Sequence, residues 1–342
     1  MGAGGRLTTR LHGASADDTA RRATLGQKTF NHVKESDMAL NTSDLKAQGE
    51  RLVERGSALI STSLDKLVER VRTWTHGSRP TFGLALCGGS ARGLAYIGIF
   101  RFLEEHHVRP DVIAGTSVGS LMGALYADGY SSKEIYDLTP QFGFMNMTSL
   151  TTPRLSLLKT NKYRQFLKET LRHERIEELP IPMHIIATNL NRAQARDFTE
   201  GDLASAVVAS CSIPILFEPV VIDDEQYVDG GVFMNLPARP IRESCDFLLG
   251  INLSPEVENT PTKNILRLSD RLIRIMMRAN VTIDLELCDV VLQSPILSHF
   301  GAYDVSPVDI LADIGYQLIS KAYEEEEQFR EIIDLLSRKG KA

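Results

Sequence analysis

The chain has 342 residues, of which 43% are hydrophobic and 24% are charged, and its formal net charge is −6. This composition is typical of a globular protein with a sizeable core, and the negative charge argues against a nucleic-acid-binding protein. No apolar run approaches the length of a membrane span, and the polar amino terminus lacks the apolar core of a secretion signal. We therefore expect a cytoplasmic protein, or one held peripherally on the inner face of a membrane.

The first 78 residues divide into two segments of different character. Residues 1–42 show no hydrophobic periodicity, and we expect them to be a mobile polar tail. Residues 43–78 are expected to be an amphipathic helical segment, since apolar residues in this segment recur at helical spacing. These residues are Leu64, Leu67, Val68, Val71 and Trp74. Such a face packs against a neighbouring domain, docks on a membrane or binds a partner helix, and the sequence leaves these three roles open.

Two strand–turn–helix units follow, and both of their turns are rich in glycine. The apolar run 82–87 predicts a buried strand, the loop 88–93 follows it, and residues 94–106 have helical periodicity. A second short strand, 111–114, leads through another turn into a helix over 120–127. We expect the two turns to lie side by side at the carboxyl edge of one parallel sheet, where open α/β sheets place their chemistry.

The second turn, Gly115-Thr116-Ser117-Val118-Gly119, matches the G-x-S-x-G pattern of a nucleophile elbow. In such an elbow the serine lies on a strained turn between a strand and a helix, and its hydroxyl projects from the backbone. The amino terminus of the following helix also offers N–H groups to a developing anion. The short pattern alone is weak evidence, and its position between a strand and a helix is what favours a nucleophilic Ser117.

The first turn, Gly88-Gly89-Ser90-Ala91-Arg92-Gly93, is expected to be an oxyanion hole. It lacks the Gly-Lys-Ser/Thr ending of a phosphate-binding loop, and no acidic residue ends the second strand as in a dinucleotide site. The backbone N–H groups of Gly88, Gly89 and Ser90 would instead point at the carbonyl oxygen that Ser117 attacks. Nucleotide binding is therefore disfavoured.

Four motifs occur in the order and spacing of one known family. They are the glycine loop, the elbow, Ala209-Ser210-Cys211-Ser212-Ile213-Pro214 and Asp229-Gly230-Gly231. With these motifs, the stretch from Phe82 to Ser294 resembles the patatin-like phospholipases, and most of all their bacterial branch related to neuropathy target esterase. One departure lies in the glycine loop, where Ser90 occupies the third glycine position of the commonest family pattern.

The resemblance implies a fold, a reaction and a set of residues. The fold is a three-layer α/β/α fold with a mainly parallel central sheet, here preceded by the helical extension. The reaction is hydrolysis of lipid or other acyl esters by a serine–aspartate dyad, with Ser117 as nucleophile and Asp229 as base. The other motif residues would shape the loop and the elbow; they are Arg92, Gly93, Gly115, Gly119, Gly230 and Gly231. We expect the hydrolase domain over 79–296, and a C-terminal helical segment packed on it over 297–342.

Asp229 has competing interpretations as a base. A free aspartate has a low pKa, and an Asp-Gly pair is also common in turns. Burial would raise the pKa of Asp229, while hydrogen bonds from serine and backbone donors would lower it. An α/β-hydrolase triad of Ser117, Asp229 and His299 satisfies the required chain order and is one alternative. A lipid-binding or scaffold protein with an inactive site is another. The remaining histidines show no ligand spacing, so no metal or other cofactor is expected.

The segment 265–279 predicts a basic amphipathic helix. Four arginines recur at i, i+4, i+7 and i+11 and form one basic face: Arg267, Arg271, Arg274 and Arg278. The adjoining apolar face consists of Leu268, Leu272, Ile275 and Met276. Such a helix suits an anionic membrane surface. The alternative is a helix buried against the sheet, or against the second subunit of a homo-oligomer.

Overall fold

The computed structural model describes residues 58–61, 80–142, 149–150, 158–254, 265–301 and 304–337. All of them belong to the unit that spans Lys46–Ala342. The predicted tail over 1–42, and the apolar residues of helical spacing between 64 and 74, lie outside the described residues.

A nine-stranded mixed sheet forms the centre of the described part of the chain. The strands are β1 (Ala58–Ser61), β2 (Phe82–Leu86), β3 (Val112–Thr116), β4 (Ser149–Leu150), β5 (Leu158–Lys159), β6 (Met183–Asn189), β7 (Gln194–Phe198), β8 (Val220–Ile222), β9 (Glu225–Asp229), β10 (Phe247–Asn252) and β11 (Val290–Gln293). The helices are α1 (Ala95–Glu105), α2 (Val118–Ala127), α3 (Ser132–Leu138), α4 (Asn161–Thr170), α5 (Leu203–Ser210), α6 (Ile265–Leu285), α7 (Val308–Glu325) and α8 (Glu327–Ser337). Strands β4 and β5 form a separate two-stranded ladder.

The middle of the large sheet is parallel and its outer strands are antiparallel. Its order is β1-β11-β10-β2-β3-β6-β9-β8, and β7 also pairs with β6. The five strands from β11 to β6 pair in parallel. Every residue of β2, β3 and β10 is buried, as is typical of parallel strands with helices on both faces.

The strand order explains how the helices form two layers. The connection β2–α1–β3 advances across the sheet in one direction. The next connection leaves β3 through α2, returns at β6 and advances in the same direction. The connection β10–α6–β11 advances in the opposite direction. Because such crossovers are right-handed, α1 and α2 cover one face of the sheet and α6 covers the other. The predicted fold class, three-layer α/β/α with a parallel centre, is confirmed.

Helix α7 crosses α1 at a very short distance. A Cβ atom added at Gly98 would lie 1.8 Å from the carbonyl oxygen of Ala312, and one added at Gly315 would lie 1.8 Å from that of Ala95. The two helices therefore pack backbone against backbone, and this contact attaches α7 to the helix layer that contains α1.

In the large sheet, the structure differs from the sequence-based prediction in two strands. Residues 58–61 lie within the stretch expected to be helical over 43–78, and that prediction is wrong there because they form β1, antiparallel to β11. Strand β7 was not predicted, because its residues alternate as exposed polar and half-buried side chains. In both cases pairing with a distant strand decides the conformation, and four or five residues carry too short a pattern to show it.

Candidate active site

The register of β6 brings the carboxyl ends of β3 and β9 together. Strand β7 occupies one edge of β6, so β3 and β9 must share the other edge. On that edge Thr116 pairs with Ile186, and Asp229 pairs with the next residue, Ala187. Strand β3 runs parallel to β6 and β9 runs antiparallel, so their last residues face each other. Ser117 follows Thr116 directly and is thereby placed beside Asp229.

Ser117 is held in a strained elbow between β3 and α2. Its φ of 54° and ψ of −127° lie in a region that a residue with a side chain rarely adopts. The turn is tight enough that a Cβ atom at Gly119 would lie 2.2 Å from the carbonyl oxygen of Leu86. Gly115 packs against the backbone of Gly119 in the same way. The close approach of α2 to β2 and β3 therefore accounts for both glycines of the elbow.

The Ser117 hydroxyl and the Asp229 carboxylate are in direct contact. Ser117 Oγ donates a hydrogen bond to Asp229 Oδ2 at 2.6 Å. The Asp229 side chain is fully buried and Ser117 is 6% exposed. The second carboxylate oxygen, Oδ1, accepts the backbone N–H of Gly231 at 2.8 Å. Both oxygens of the carboxylate are thus held by donors from two different loops.

Burial dominates the electrostatics of Asp229. Removal from water disfavours the charged form and raises the pKa of the carboxyl group to about 6, against the lowering effect of the Ser117 and Gly231 hydrogen bonds. Gly230, the next residue, packs against the carbonyl of Ile186. Near neutral pH the carboxylate is therefore mostly ionised, and it is a stronger base than a solvent-exposed aspartate.

Ser210 positions the elbow, and the sequence analysis did not identify this role. Its hydroxyl accepts the backbone N–H of Ser117 at 2.8 Å and donates to the carbonyl of Ile186 at 2.6 Å. Ser210 is fully buried at the end of α5. The only sequence signal for it was its place in the third motif of the family resemblance.

The glycine loop supplies fewer oxyanion donors than the sequence predicts. The N–H of Gly88 already donates to the carbonyl of Asn235 at 3.2 Å, so this residue is not an available donor. Gly89 and Ser90 lie at the start of the 3-10 helix Ser90–Leu94, and the first N–H groups of a helix have no acceptor within it. They remain the candidate donors. Ser90 has a φ of 55°, which explains why glycine is common at this position of the family pattern.

The last residues of the glycine loop contact other parts of the chain. Arg92 is buried, and its Nε donates to the carbonyl of Phe300 at 3.5 Å. Gly93 packs directly against Val118 at the start of α2. These contacts fix the loop to the elbow helix and to the chain after β11.

Comparison with known proteins identifies the family of this region. A family model described as patatin-like phospholipase matches residues 84–242. Residues 84–242 are a patatin-like phospholipase domain. The matched span contains the glycine loop, the elbow with Ser117, the motif around Ser210, and Asp229.

Two curated relatives of the patatin-like domain are named lysophospholipase NTE1. The protein from Kluyveromyces lactis is 30% identical over 186 residues, which cover 52% of this chain and 13% of the relative. The protein from Saccharomyces cerevisiae is 29% identical over 191 residues, which cover 54% of this chain and 11% of the relative. The chain therefore spans only a small part of the length of these relatives. Among solved structures, the type III effector ExoU shows 14% identity and a TM-score of 0.35, over 75% of this chain and 54% of that one.

The described parts of the chain contain neither a membrane-spanning helix nor a cluster of metal ligands. None of their helices combines the length and the hydropathy needed to cross a bilayer. Within the same residues, no three side chains of histidine, cysteine, aspartate or glutamate are placed to share a metal ion.

His299 does not take part in the patatin-like site. Its Nδ1 lies 3.1 Å from the carbonyl of Ile296, within the short 3-10 helix Pro295–His299. A triad requires the imidazole between the serine and the aspartate, whereas Ser117 Oγ contacts Asp229 directly. The geometry therefore contradicts the alternative triad of Ser117, Asp229 and His299.

Replacing His299 by alanine is expected to leave ester hydrolysis within about twofold of the wild-type rate, because no proton transfer passes through this side chain. The measurement is the kcat for a p-nitrophenyl ester, with circular dichroism as the test of folding. A folded His299→Ala protein without activity would favour the mechanism with a triad of Ser117, Asp229 and His299.

Helix α6 exposes the apolar face that the sequence predicts for it. It packs on the domain through a different face, which includes the buried residues Ile273, Val281 and Asp284. A stripe of large apolar side chains, each 44–58% exposed, runs along its outer side: Leu268, Leu272, Ile275, Met276 and Ile283. We call these five residues the apolar stripe. The alternative of an apolar face buried against the sheet is therefore wrong.

The arginines of α6 lie beside the apolar stripe. Arg278 is exposed, and Arg271 and Arg274 are half-buried, whereas the side chain of Arg267 lies outside the described residues. At 100° per residue these positions fall between the packed face and the apolar stripe. The helix therefore presents a basic band next to an apolar band.

Two polar residues of α6 fasten it to the Asp229 loop. Asn280 Nδ2 donates to the carbonyl of Gly231 at 2.8 Å, and Asn280 Oδ1 accepts the N–H of Asn235 at 2.9 Å. One turn later, Asp284 forms a 3.1 Å ion pair with Arg239. The apolar stripe is thus carried by a helix in direct contact with the loop that follows Asp229.

Proposed function

We propose that the protein is a lipid acyl hydrolase of the phospholipase A, lysophospholipase or carboxylesterase type. The observation that carries the proposal is the 2.6 Å contact between Ser117 Oγ, on a strained elbow, and the buried Asp229 carboxylate. The patatin-like phospholipase match and the lysophospholipase names of the relatives support the choice of a fatty-acyl ester as substrate.

Acylation follows from the positions of the two groups. Asp229 takes the hydroxyl proton as Ser117 Oγ attacks the ester carbonyl, and the backbone N–H groups of Gly89 and Ser90 receive the negative charge that develops on the carbonyl oxygen. Collapse of this intermediate expels the alcohol, which takes the proton from Asp229. The fatty acyl group remains on Ser117 until water releases it.

The dyad can work without histidine because Asp229 is both oriented and desolvated. The Gly231 N–H fixes the rotation of the carboxylate, and burial raises its pKa to about 6. A base whose pKa lies near the working pH transfers protons efficiently while remaining largely ionised.

A panel of lysophospholipids, diacyl phospholipids and short acyl esters tests the proposal directly. We expect release of free fatty acid from at least one lipid ester and covalent labelling by a fluorophosphonate, which requires an activated serine. Absence of both, in a protein with an intact circular dichroism spectrum, would favour the inactive lipid-binding or scaffold protein.

We further propose that the apolar stripe and its neighbouring arginines dock the protein peripherally on an anionic lipid surface. Each side chain of the stripe is about half exposed, so its insertion would contribute roughly 1 kcal/mol, and the arginines would add electrostatic attraction. The same helix contacts Gly231 beside Asp229, which would place the site close to its lipid substrate.

Vesicle flotation with Leu272→Glu/Ile275→Glu tests this surface. We expect the double variant to lose at least about tenfold in recovery on phosphatidylcholine vesicles that contain phosphatidylglycerol, since it removes apolar area and adds negative charge. The matched control is Val221→Glu, which changes an apolar residue of similar exposure on β8. Equal recovery of the wild type on neutral and anionic vesicles would exclude the arginines from docking. A wild-type dimer that the double variant dissociates would assign the apolar stripe to a homo-oligomer.

A further inference from the structure

The side chain of Asn235 is a buried polar group whose oxygen has no hydrogen-bond partner in the described part of the chain. Asn235 is 1% exposed, six residues after Asp229 in the loop that leaves β9. Its Oδ1 is fully shielded and accepts no hydrogen bond. Acylation of Ser117 does not use this side chain.

The carboxamide of Asn235 lies beside both members of the dyad. A Cβ atom added at Gly88 would lie 2.6 Å from Asn235 Oδ1 and 3.1 Å from Ser117 Cβ. One added at Gly231 would lie 3.0 Å from Asn235 Oδ1 and 3.0 Å from Asp229 Oδ1. The carboxamide therefore occupies space that two glycines of the site leave open.

The backbone of Asn235 is held by two hydrogen bonds. Its N–H donates to Asn280 Oδ1 at 2.9 Å, and its carbonyl accepts the N–H of Gly88 at 3.2 Å. These bonds join the Asp229 loop to α6 and to the glycine loop. Since both use backbone atoms, neither requires an asparagine side chain.

Asn189 shows what a structural asparagine of equal burial looks like in this chain. It is also 1% exposed, but its Nδ2 donates to Glu225 and its Oδ1 accepts the N–H groups of Asn191 and Arg192. A buried acceptor without a donor destabilises a fold, and an apolar side chain of the same size would avoid that cost. An asparagine at 235 is therefore explained if its partner arrives during the reaction.

We propose, on the basis of the proposed function, that Asn235 Oδ1 positions the water that hydrolyses the acyl-enzyme. Once Ser117 is acylated, its oxygen carries no proton, and Asp229 loses its serine donor. A water molecule between Asp229 and Asn235 donates one O–H to each of them. Two fixed acceptors orient the water so that a lone pair faces the acyl carbon.

Hydrolysis of the acyl-enzyme conserves atoms and charge without any further reactant. The water oxygen bonds to the acyl carbon, one of its protons passes to Asp229, and the carbonyl electron pair moves onto the oxyanion. The C=O bond then re-forms, the bond between the acyl carbon and Ser117 Oγ breaks, and Asp229 returns the proton to Oγ. The second water proton leaves in the carboxylic acid group of the product.

Asn235→Leu separates acylation from deacylation, because leucine has a similar volume and no acceptor. With a p-nitrophenyl ester, we expect a rapid burst of nitrophenol of one equivalent, followed by a steady state roughly a hundredfold slower than in the wild type. Fluorophosphonate labelling, which reports only the attack by Ser117, should keep its wild-type rate within about threefold.

Thermal unfolding supplies the readout that distinguishes this role from a structural one. Asn235→Leu should keep or raise the Tm, because it removes an unsatisfied buried oxygen. The matched control, Asn189→Leu, should lower the Tm by several degrees through its lost hydrogen bonds and leave the burst and steady-state phases in their wild-type ratio.

Three outcomes for Asn235→Leu would overturn the proposal: equal slowing of burst and steady state, unchanged kinetics, or a loss of Tm or of folding comparable to that of Asn189→Leu. Failure of the proposed function itself is distinct from these, because the wild-type protein would then show neither labelling nor hydrolysis.

Discussion

Ser117→Ala is expected to reduce fatty acid release to the uncatalysed background, a loss of about 10⁴-fold or more, while the protein stays folded. The substitution removes the oxygen that Asp229 activates for attack on the ester, and alanine keeps the Cβ atom that packs in the elbow. Fluorophosphonate labelling should disappear together with hydrolysis. The measurement is product release from the best lipid of the substrate panel, with the Tm as the control for folding.

Ser212→Ala is the matched control for Ser117→Ala. Ser212 is also buried and lies near the site, but its hydroxyl donates to the carbonyl of Val208 at 2.7 Å and not to Asp229. Its loss should leave activity within a few-fold of wild type, since the interaction of Ser212 with Asp229 uses only the backbone carbonyl. Substantial hydrolysis by Ser117→Ala, or equal losses in both variants, would remove Ser117 from the mechanism.

The sequence located the elements that surround Ser117 because their signals are local. The apolar runs at 82–87 and 111–114 end within two residues of β2 and β3, and the glycine-rich turns mark where each strand stops. Ser131 and Glu134 have the spacing of a capping box in the sequence, and they lie at the start of α3, where both hydrogen bonds of the box form. A turn or a cap needs only a few adjacent residues, and these are visible in the chain itself.

The contact between Ser117 and Asp229 was expected only through the family resemblance, because it depends on long-range register. Ile186 and Ala187 of β6 bring the two residues together, and nothing in the pattern of β6 shows that two different strands share one of its edges. The same limit applies to Ser210 and Asn235. Each is an ordinary polar residue in the sequence, and its role depends on distant neighbours.

Helix α6 shows why periodicity alone could not choose between the possible partners of an amphipathic face. The usual rule places the apolar face against the core. Here polar residues of the packed face, Asn280 and Asp284, bond to the Asp229 loop and to Arg239, and the apolar stripe faces outward. The sequence contained both faces, but the choice between them depends on carbonyl and guanidinium groups that only the fold brings near.

Asp229→Asn is expected to abolish hydrolysis and to stabilise the protein at neutral pH. Asparagine cannot accept the serine proton, so the rate should fall by about a thousandfold or more. Its amide oxygen can still accept the Gly231 N–H, and its amide N–H can donate to Ser117 Oγ. Both hydrogen bonds of the site can therefore persist, and only the one with Ser117 is reversed. The measurements are kcat for the lipid substrate and the Tm of both proteins from pH 4 to pH 8.

The sign of the stability effect follows from the raised pKa of Asp229. Burial raises this pKa from 3.8 in the free side chain to about 6, so the folded protein binds the proton more tightly than the unfolded chain does. The stability that Asp229 contributes through this tighter proton binding is fully present below pH 3.8, and it is lost as the pH rises through about 6. Above pH 6 the cost of the buried charge is about 3 kcal/mol.

The Tm advantage of Asp229→Asn should therefore grow between pH 4 and pH 7 and then level off. A difference that is constant with pH, or a less stable variant at pH 8, would contradict a desolvated carboxylate. Since that desolvation is what makes Asp229 a competent base, the rate of the wild-type enzyme should rise over the same pH range in which its stability falls.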